Sequence, residues 1–440
     1  MKILLLDVYK NVTHRISKDT SGGYGTGNNF GNTLFTNFLK KTLKKIHDFP
    51  PMFAAYTFSV LFNKGYDIYY CKELPEDYLK YDIFIITSSI VCCETELSVI
   101  KKLKEGNKKI FAIGSFATNM PEIYLNVGAT VIVGEPEFYF LGENNFIEDL
   151  KKDKVIVKHD FELDDLPFPQ WDKIITDAKK ISKLFGNYAS LPILATRGCP
   201  YSCFKYCVYP LQQGRKVRQR SSKKIVDEMQ LWSKKMNVKM FIFRDPVFSI
   251  NKKHTLEFAN ELINRKLGLK FIIETHLKIL DNELIQVLKK AGLKGVKVGV
   301  ESPDIKVLND ANRFTIGKDE QFQKIRELEK NNIQVSSMFI LGFPTDTEKT
   351  MDDTINYAIK LNTTYAQFSV WTPYPGTPVF EEYKNKIIVK KNEDYDQYNL
   401  VYKNNNLDEN KVRKYLERAY EKFYIRFNWA KKFIFSFING

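Results

Sequence analysis

The chain has 440 residues, 44% of them hydrophobic, a size that predicts two or three domains with cores of their own. Its six cysteines show no even spacing, which favours a reducing, cytoplasmic location over secretion. No signal peptide precedes the first apolar strand, and no run of about 18 uncharged apolar residues predicts a membrane span. The formal charge of +15 could indicate nucleic-acid binding. However, the lysines are scattered in pairs, as on solvated helix faces, so we do not expect a nucleic-acid partner.

Apolar strands and helices alternate through residues 1–145. Strands are predicted at 3–6, 67–71, 81–87, 109–113 and 130–133, with helices at 52–63, 94–105 and 121–126. The alternation predicts a doubly wound parallel sheet, whose ligands bind at the carboxyl ends of the strands. The loops at those ends contain small, polar or glycine residues: Thr87, Ser88, Ser89, Gly114, Ser115, Gly134 and Glu135. The glycine-rich stretch 21–27 also permits close approach of another group to the backbone.

A linker with two prolines, at 146–188, leads to a second α/β unit at 189–380. Six apolar strands alternate there with amphipathic helices, at 191–197, 238–244, 270–274, 295–300, 334–341 and 366–371. Six repeats predict a partial (β/α)6 barrel, with active residues at the carboxyl ends of the strands. Candidates for cofactor binding at those ends are Asp245, Glu274, Glu301, Ser302 and Gly342. His276, also at a strand end, is expected to be hydrogen-bonded rather than catalytic.

Three of the six cysteines follow the first of these strands within nine residues. Cys199, Cys203 and Cys207 lie in a loop with no fourth cysteine or histidine nearby. Thiolates select zinc, copper(I) or iron–sulfur clusters, and a structural zinc site needs four closed ligands. Three thiolates instead suit a [4Fe-4S] cluster with one iron open to another ligand. The loop therefore predicts a cluster, with zinc as the alternative.

This loop resembles the cluster-binding loop of radical S-adenosylmethionine (radical SAM) enzymes. The resemblance implies a [4Fe-4S] cluster whose open iron binds S-adenosylmethionine, and it places the Tyr206 ring against the adenine. It also implies that Glu301 and Ser302 contact S-adenosylmethionine and that Gly342 lies along its adenine side. One feature departs from the family pattern: three residues, not two, separate Cys203 from Cys207.

The first 145 residues resemble the cobalamin-binding domain of cobalamin-dependent radical SAM proteins. The resemblance implies that cobalamin contacts the strand-end loops named above, from Thr87 to Glu135. The Asp-x-His-x-x-Gly motif that supplies a histidine to cobalt is absent, because Val8 and Tyr9 follow Asp7. No histidine is therefore expected to bind cobalt. The alternative is a flavodoxin-like domain that binds only a partner, or nothing.

These resemblances imply methylation of an unactivated carbon of a small-molecule, lipid or peptide substrate, with an external flavodoxin or ferredoxin as electron donor. A cyclisation or rearrangement without methyl transfer is the alternative outcome. A tRNA methylthiotransferase needs a second three-cysteine site, and Cys71, Cys92 and Cys93 do not resemble one. A non-enzymatic iron–sulfur sensor leaves the six barrel strands unexplained.

Residues 381–440 are predicted to form a helical extension. The stretch 411–440 places tyrosines and phenylalanines at helical spacing, with basic residues between them. We expect a helix packed on the barrel. Peripheral contact of this helix with a membrane is the alternative, since aromatic and basic residues suit lipid headgroups.

Overall fold

The computed structural model describes residues 1–44, 49–157, 162–175 and 188–438. The predicted linker 146–188 therefore lies partly outside the described residues. Among those that are described, no helix is long and apolar enough to cross a membrane.

The N-terminal domain contains a parallel six-stranded sheet in the order β4-β1-β5-β6-β7-β8. The strands of this half are β1 Lys2–Leu6, β2 Ile16–Ser17, β3 Thr26–Gly27, β4 Asp67–Cys71, β5 Ile83–Thr87, β6 Lys109–Ile113, β7 Thr130–Val133 and β8 Lys154–Ile156. The helices are α1 Leu34–Lys44, α2 Met52–Asn63, α3 Cys93–Glu105, α4 Ser115–Asn119, α5 Pro121–Leu125, α6 Pro136–Leu141, α7 Phe146–Asp149 and α8 Trp171–Ile174. Every residue of β5 is buried, as expected for a strand covered on both faces. The sheet extends past residue 145 to include β8.

The second half contains another parallel six-stranded sheet, in the order β16-β15-β14-β13-β12-β9. Its strands are β9 Ser190–Ile193, β10 Thr196–Arg197, β11 Arg218–Gln219, β12 Met240–Phe243, β13 Lys270–Glu274, β14 Leu293–Glu301, β15 Gln334–Leu341 and β16 Tyr365–Val370. The helices are α9 Tyr209–Gln213, α10 Ser222–Met236, α11 Lys252–Arg265, α12 Asn282–Ala291, α13 Ile305–Asp310, α14 Lys318–Lys330, α15 Glu348–Leu361, α16 Pro378–Tyr383, α17 Glu409–Tyr424 and α18 Phe427–Ile438. The predicted fold class, two parallel sheets followed by a helical extension, is confirmed.

Residue alternation in β14 explains how the barrel presents polar groups to its interior. Val296, Val298 and Val300 are fully packed, whereas the alternate residues Lys297 and Glu301 are only partly buried. Side chains of a strand point alternately to its two faces, so the valines fill the core under the helices. The polar residues therefore face the inside of the barrel.

A buried ion network joins the two halves. Arg197 of β10 forms salt bridges with Glu135 and Glu137, and Arg218 of β11 pairs with Glu135 at 2.8 Å. Arg197 and both carboxylates are almost completely excluded from solvent. Removing one partner from such a network typically costs about 3–5 kcal/mol, because a buried charge is left alone. The network therefore fixes the edge of the first sheet against the base of the cysteine loop.

Helix α17 of the C-terminal extension covers the β16 edge of the barrel sheet. The hydroxyl of Tyr420 donates to the carbonyl of Phe368 at 2.9 Å, and the hydroxyl of Tyr424 donates to the carbonyl of Ala366 at 2.6 Å. Both hydroxyls also accept the backbone N–H of the same strand residue. Because β16 ends the sheet, these tyrosines satisfy backbone groups that a further strand would otherwise pair. This is the barrel-packed helix expected from the sequence.

Candidate active site

The three cysteines of the predicted metal loop line one cavity of about 250 Å³ at the carboxyl ends of the barrel strands. Cys199 and Cys203 are 6% exposed. Burial raises the pKa of Cys199, although the backbone N–H of Tyr201 lowers it. Burial and the neighbouring Cys203 raise the pKa of Cys207. A nearby cation would favour the thiolate forms of Cys199 and Cys207.

A guanidinium supplies positive charge beside this loop. Arg313 Nη1 lies 3.7 Å from Cys203 Sγ, and its Nη2 lies 3.3 Å from Glu301 Oε1. Among the described residues, no three His, Cys, Asp or Glu side chains are arranged to hold one metal ion. A cubane cluster needs its thiolates further apart than a single ion does, because each thiolate binds a different iron. Three thiols around one cavity, with an arginine beside them, fit the cluster.

Three of the six predicted cofactor-binding residues lie in this cavity: Tyr206, Glu274 and Glu301. Glu301 ends β14 in the left-handed region at φ 63°, where the register with β15 shifts. Such a conformation costs a non-glycine residue about 1–3 kcal/mol and is concentrated at functional sites. Burial raises the pKa of Glu301, and Arg313 lowers it. The strained turn places a carboxylate beside the cysteine loop.

The other three predicted cofactor-binding residues do not line the cavity. Asp245 is buried and accepts the backbone N–H of Ala195 at 3.1 Å and that of Thr196. Burial raises its pKa to about 7, although these donors favour the carboxylate. Asp245 therefore holds the strand end that precedes the cysteine loop and is a positioning residue.

Ser302 and Gly342 also have structural partners. Ser302 is buried, and its hydroxyl accepts the backbone N–H of Asp304 at 3.1 Å before α13. Gly342, at φ 73°, makes the turn after β15, and its carbonyl accepts the Tyr402 hydroxyl at 2.9 Å. In the described structure both residues stabilise turns next to the cavity.

The cavity contains charged residues that the sequence did not single out. Lys297 lies four residues before Glu301 on the same face of the same strand. Arg244 directly follows β12 and pairs with Asp19 at 2.6 Å. Burial, followed by the charge of Arg244, lowers the pKa of Lys297 to about 8. The sequence signal for Lys297 was a lysine inside an apolar strand, at a spacing that places it on the same face as Glu301. The cavity therefore combines cations with the Glu274 carboxylate.

His276 lines the cavity, but both its ring nitrogens are engaged. Nε2 lies 3.0 Å from the Phe314 carbonyl, and Nδ1 accepts the backbone N–H of Lys278 at 3.1 Å. Burial and Arg313 lower its pKa to about 4, so the ring is neutral near pH 7. This is the hydrogen-bonded role expected from the sequence.

The residues predicted for cobalamin lie together at the carboxyl edge of the first sheet, but they contact other parts of the chain. Thr87, Ser88, Ser89, Ser115 and Glu135 are all at most 1% exposed. The hydroxyl of Thr87 donates to Asp7 at 2.6 Å, and that of Ser89 donates to Glu96 at 2.8 Å. These loops are therefore occupied by protein groups in this structure.

The two glycines of the predicted cobalamin loops are equally close to protein atoms. A Cβ atom added to Gly114 would lie 2.6 Å from the Phe53 ring, and one added to Gly134 would lie 3.1 Å from Val157. The close approach that these glycines permit is thus made by side chains of the same chain.

Comparison with protein families identifies the barrel. Residues 193–358 match the model of the Radical SAM superfamily. The chain carries a radical SAM domain. The matched residues include the cysteine loop, Glu301 and the strands β12 to β15. The predicted resemblance to radical SAM enzymes is confirmed. Enzymes of this family use a [4Fe-4S] cluster and S-adenosylmethionine, the two cofactors expected from the cysteine loop.

Curated relatives extend the similarity beyond the radical SAM domain. An uncharacterized methyltransferase of Pyrococcus horikoshii is 25% identical over 412 residues, which cover 86% of this chain and 88% of the relative. The anaerobic magnesium-protoporphyrin IX monomethyl ester cyclase of Cereibacter sphaeroides is 27% identical over 393 residues, which cover 80% of this chain and 63% of the relative. Proteins named for two different reactions thus share this sequence pattern.

Solved structures show the same arrangement of domains. The radical SAM methyltransferase TsrM of Kitasatospora setae, solved with cobalamin and a [4Fe-4S] cluster, superimposes with a TM-score of 0.61 at 14% identity. The match covers 87% of this chain and 74% of TsrM. At this identity the likeness shows the fold alone.

Proposed function

We propose that this protein is a radical SAM enzyme that removes a hydrogen atom from an unactivated carbon of a small substrate held in the barrel cavity. The observation that carries the proposal is the position of Cys199, Cys203 and Cys207 around one cavity within the matched radical SAM domain. Cys199, Cys203 and Cys207 would hold the cluster, which when bound would supply the electron for reductive cleavage of S-adenosylmethionine to methionine and the hydrogen-abstracting 5′-deoxyadenosyl group.

Residues of the chain provide binding and orientation for this chemistry. Arg313 lies 3.3 Å from Glu301 and favours its ionised form. An ionised carboxylate can accept hydrogen bonds from the amino group of S-adenosylmethionine. Tyr206 contributes an aromatic ring to the same cavity, in contact with Phe343 at a ring distance of 6.4 Å.

The remaining charges of the cavity suit a polar substrate. Lys297 and Glu274 lie on the neighbouring strands β14 and β13, with opposite formal charges. Such a pair can bind an anionic group and a cationic or hydroxyl group of one molecule. We therefore propose a small, polar substrate for this site.

Two outcomes are open to the substrate radical, and different observations favour them. Methyl transfer is favoured by the names of the Pyrococcus relative and of TsrM. That outcome, with cobalamin as methyl carrier, needs space for a corrinoid beside the first sheet. Thr87, Ser89 and Ser115, which end the strands on that side, are already covered by other parts of the chain. This packing favours the second outcome, a ring closure or rearrangement without methyl transfer, as in the reaction for which the cyclase is named.

Anaerobic reconstitution tests the proposal. The reconstituted protein, supplied with dithionite or reduced flavodoxin, should contain iron and sulfide and should convert S-adenosylmethionine into 5′-deoxyadenosine. Replacing Cys199, Cys203 and Cys207 together by alanine should abolish both iron binding and 5′-deoxyadenosine formation. Cys71→Ala is the matched control, because Cys71 lies at the end of β4, away from the cavity. Zinc in place of iron, or iron retained by the triple variant, would contradict the proposal.

The fate of the methyl group separates the two outcomes. Methyl transfer should yield S-adenosylhomocysteine together with 5′-deoxyadenosine, whereas a rearrangement should yield 5′-deoxyadenosine alone. Chromatography with mass detection measures both products in one reaction.

A further inference from the structure

A short segment between β1 and α1 lies across the carboxyl edge of the first sheet. Residues 18–25 contact the ends of β1, β5 and β6 on one side and the radical SAM domain on the other. In a doubly wound sheet this edge is where a ligand binds. What the segment contacts there determines whether a ligand can enter.

Lys18 attaches one end of the segment to the sheet. Its ammonium lies 2.7 Å from Glu96 and 3.4 Å from Asp7, and all three side chains are fully buried. It also lies 3.3 Å from the hydroxyl of Thr87. Burial alone would lower the pKa of Lys18, but Glu96 and Asp7 outweigh it and raise the pKa. Releasing Lys18 would leave two carboxylates in the interior, so the segment is strongly held at this point.

The middle of the segment lies against the strand ends. The carbonyl of Gly22 accepts the Ser115 hydroxyl, and the carbonyl of Tyr24 accepts the backbone N–H of Ile90 at 3.0 Å. Gly25 lies so close to the sheet that an added Cβ atom would be 2.6 Å from Val91. Its φ of 86° is one that glycine adopts without strain. The glycines thus allow the chain itself to fill the edge.

The opposite side of the segment contacts the radical SAM domain. The Tyr24 ring is completely buried, with edge contacts to Phe116 and Tyr374 at 5.5 Å, and its hydroxyl donates to the Pro375 carbonyl at 2.7 Å. Next to it, a Cβ atom on Gly22 would lie 3.0 Å from the backbone of Tyr209 in α9. The segment therefore touches both domains at once.

Little space remains between the segment, the end of β7 and the residues that flank the cysteine loop; the cavity of about 250 Å³, which Asp19, Thr20 and Ser21 also line, is formed mainly by the barrel. The cavity lined by Gly22, Gly23, Glu135, Arg197 and Tyr209 measures about 40 Å³, which at about 10–15 Å³ each admits only a few water molecules. Pockets for drug-sized ligands measure about 300–1,000 Å³, and a corrin with its side chains is larger than such ligands.

We propose that residues 18–25 permanently occupy the corrinoid position of this fold and that the protein carries out its radical chemistry without cobalamin. One consequence rests on the function proposed above: without a corrinoid, the substrate radical formed in the barrel receives no methyl group from one. It does not depend on the cluster, because the contacts of Lys18 and Tyr24 are made by protein groups alone.

Corrinoid binding to the full-length protein tests the proposal directly. The reconstituted protein is incubated anaerobically with excess hydroxocobalamin and desalted, and the retained corrinoid is quantified by visible absorbance. TsrM of Kitasatospora setae, which has been solved with cobalamin, is the positive control. We expect corrinoid at the level of a no-protein blank, together with an unchanged rate of 5′-deoxyadenosine formation. Retention near one corrinoid per chain would overturn the proposal.

Hydrogen–deuterium exchange provides a second measurement that needs no variant. The amides of Gly23, Tyr24 and Gly25 donate to carbonyls within the segment, and that of Ile90 donates to Tyr24. We expect these amides to be protected in the free protein and unchanged by hydroxocobalamin. Rapid exchange in the free protein, or a change on adding hydroxocobalamin, would contradict a permanently filled position. Failure of iron binding would reject the proposed function and leave these results unaffected.

Discussion

Replacing Lys18 by methionine tests the ion trio that anchors the segment 18–25. The substitution keeps most of the side-chain volume and removes the charge that faces Glu96 at 2.7 Å and Asp7 at 3.4 Å. Breaking a fully buried ion pair by removing one partner costs about 3–5 kcal/mol. Since about 1.4 kcal/mol is a factor of ten, the protection factors of the amides that exchange through opening of this region should fall about 10²–10⁴-fold. Hydrogen–deuterium exchange of peptides covering 16–30 and 83–96 measures this loss.

The loss should also depend on pH. Burial raises the pKa of Glu96 and Lys18 lowers it, so removing Lys18 raises the pKa of Glu96 further. A carboxyl group whose pKa is raised in the folded state contributes stability at low pH that is lost as the pH rises through that pKa. Lys18→Met should therefore be less destabilised at about pH 5 than at about pH 8.

An exposed lysine provides the matched control. Lys101→Met changes a solvated residue of α3 and should alter stability by no more than about 0.5 kcal/mol. If Lys18→Met exchanged like Lys101→Met at both pH values, the trio would not hold the segment, and the reasoning from buried charge would be refuted.

Three further substitutions test the cavity. Lys297→Met should raise the free energy of unfolding at pH 7 by about 1–3 kcal/mol, because burial and Arg244 lower the pKa of Lys297 to about 8. In a thermal-melt series this gain should shrink as the pH rises from about 8 towards 10.5, since the wild-type amine is then increasingly neutral; a constant gain would contradict the assignment. Arg313→Gln should lower the rate of 5′-deoxyadenosine formation about 10–100-fold, with Arg313→Lys intermediate, because the guanidinium bridges Glu301 and Cys203. Equal rates in Arg313→Gln and wild type would exclude this role. His276→Gln should leave the pH profile of that rate unchanged between about pH 6 and 8, as the pKa of His276 is lowered to about 4; a lost limb would show that the ring titrates in turnover.

Local patterns in the sequence identified most of the architecture. The longer apolar strands of both sheets and most of the helices between them were predicted, because strands and helices of several residues each alternate regularly along the chain. The two-residue strands β2 and β3 were not predicted, and β8 was missed because it has three residues and begins with an exposed lysine. Short elements such as these are formed by contacts with distant parts of the chain, which a local pattern does not encode.

The same limit applies to the candidate site. Spacing and resemblance identified the three cysteines and Glu301, but nothing local distinguishes Lys18 within a total of 67 lysines and arginines, and only its place in an apolar strand marks Lys297. The charges that act on both lie far away in the sequence, such as Glu96 for Lys18 and Glu274 for Lys297. The glycines at 22–25 correctly indicated close backbone approach. The sequence alone could not show that the approaching group is the protein itself.

The position of Arg197 has a consequence for truncated forms of the protein. Arg197 lies two residues before Cys199, and its guanidinium is neutralised by Glu135 and Glu137 from the first half of the chain. A fragment starting at residue 188 would expose this arginine and the apolar surface around it. Both lie where the loop that carries the thiols begins. Deletion of the N-terminal half should therefore impair metal incorporation, even though every cysteine of that loop is retained.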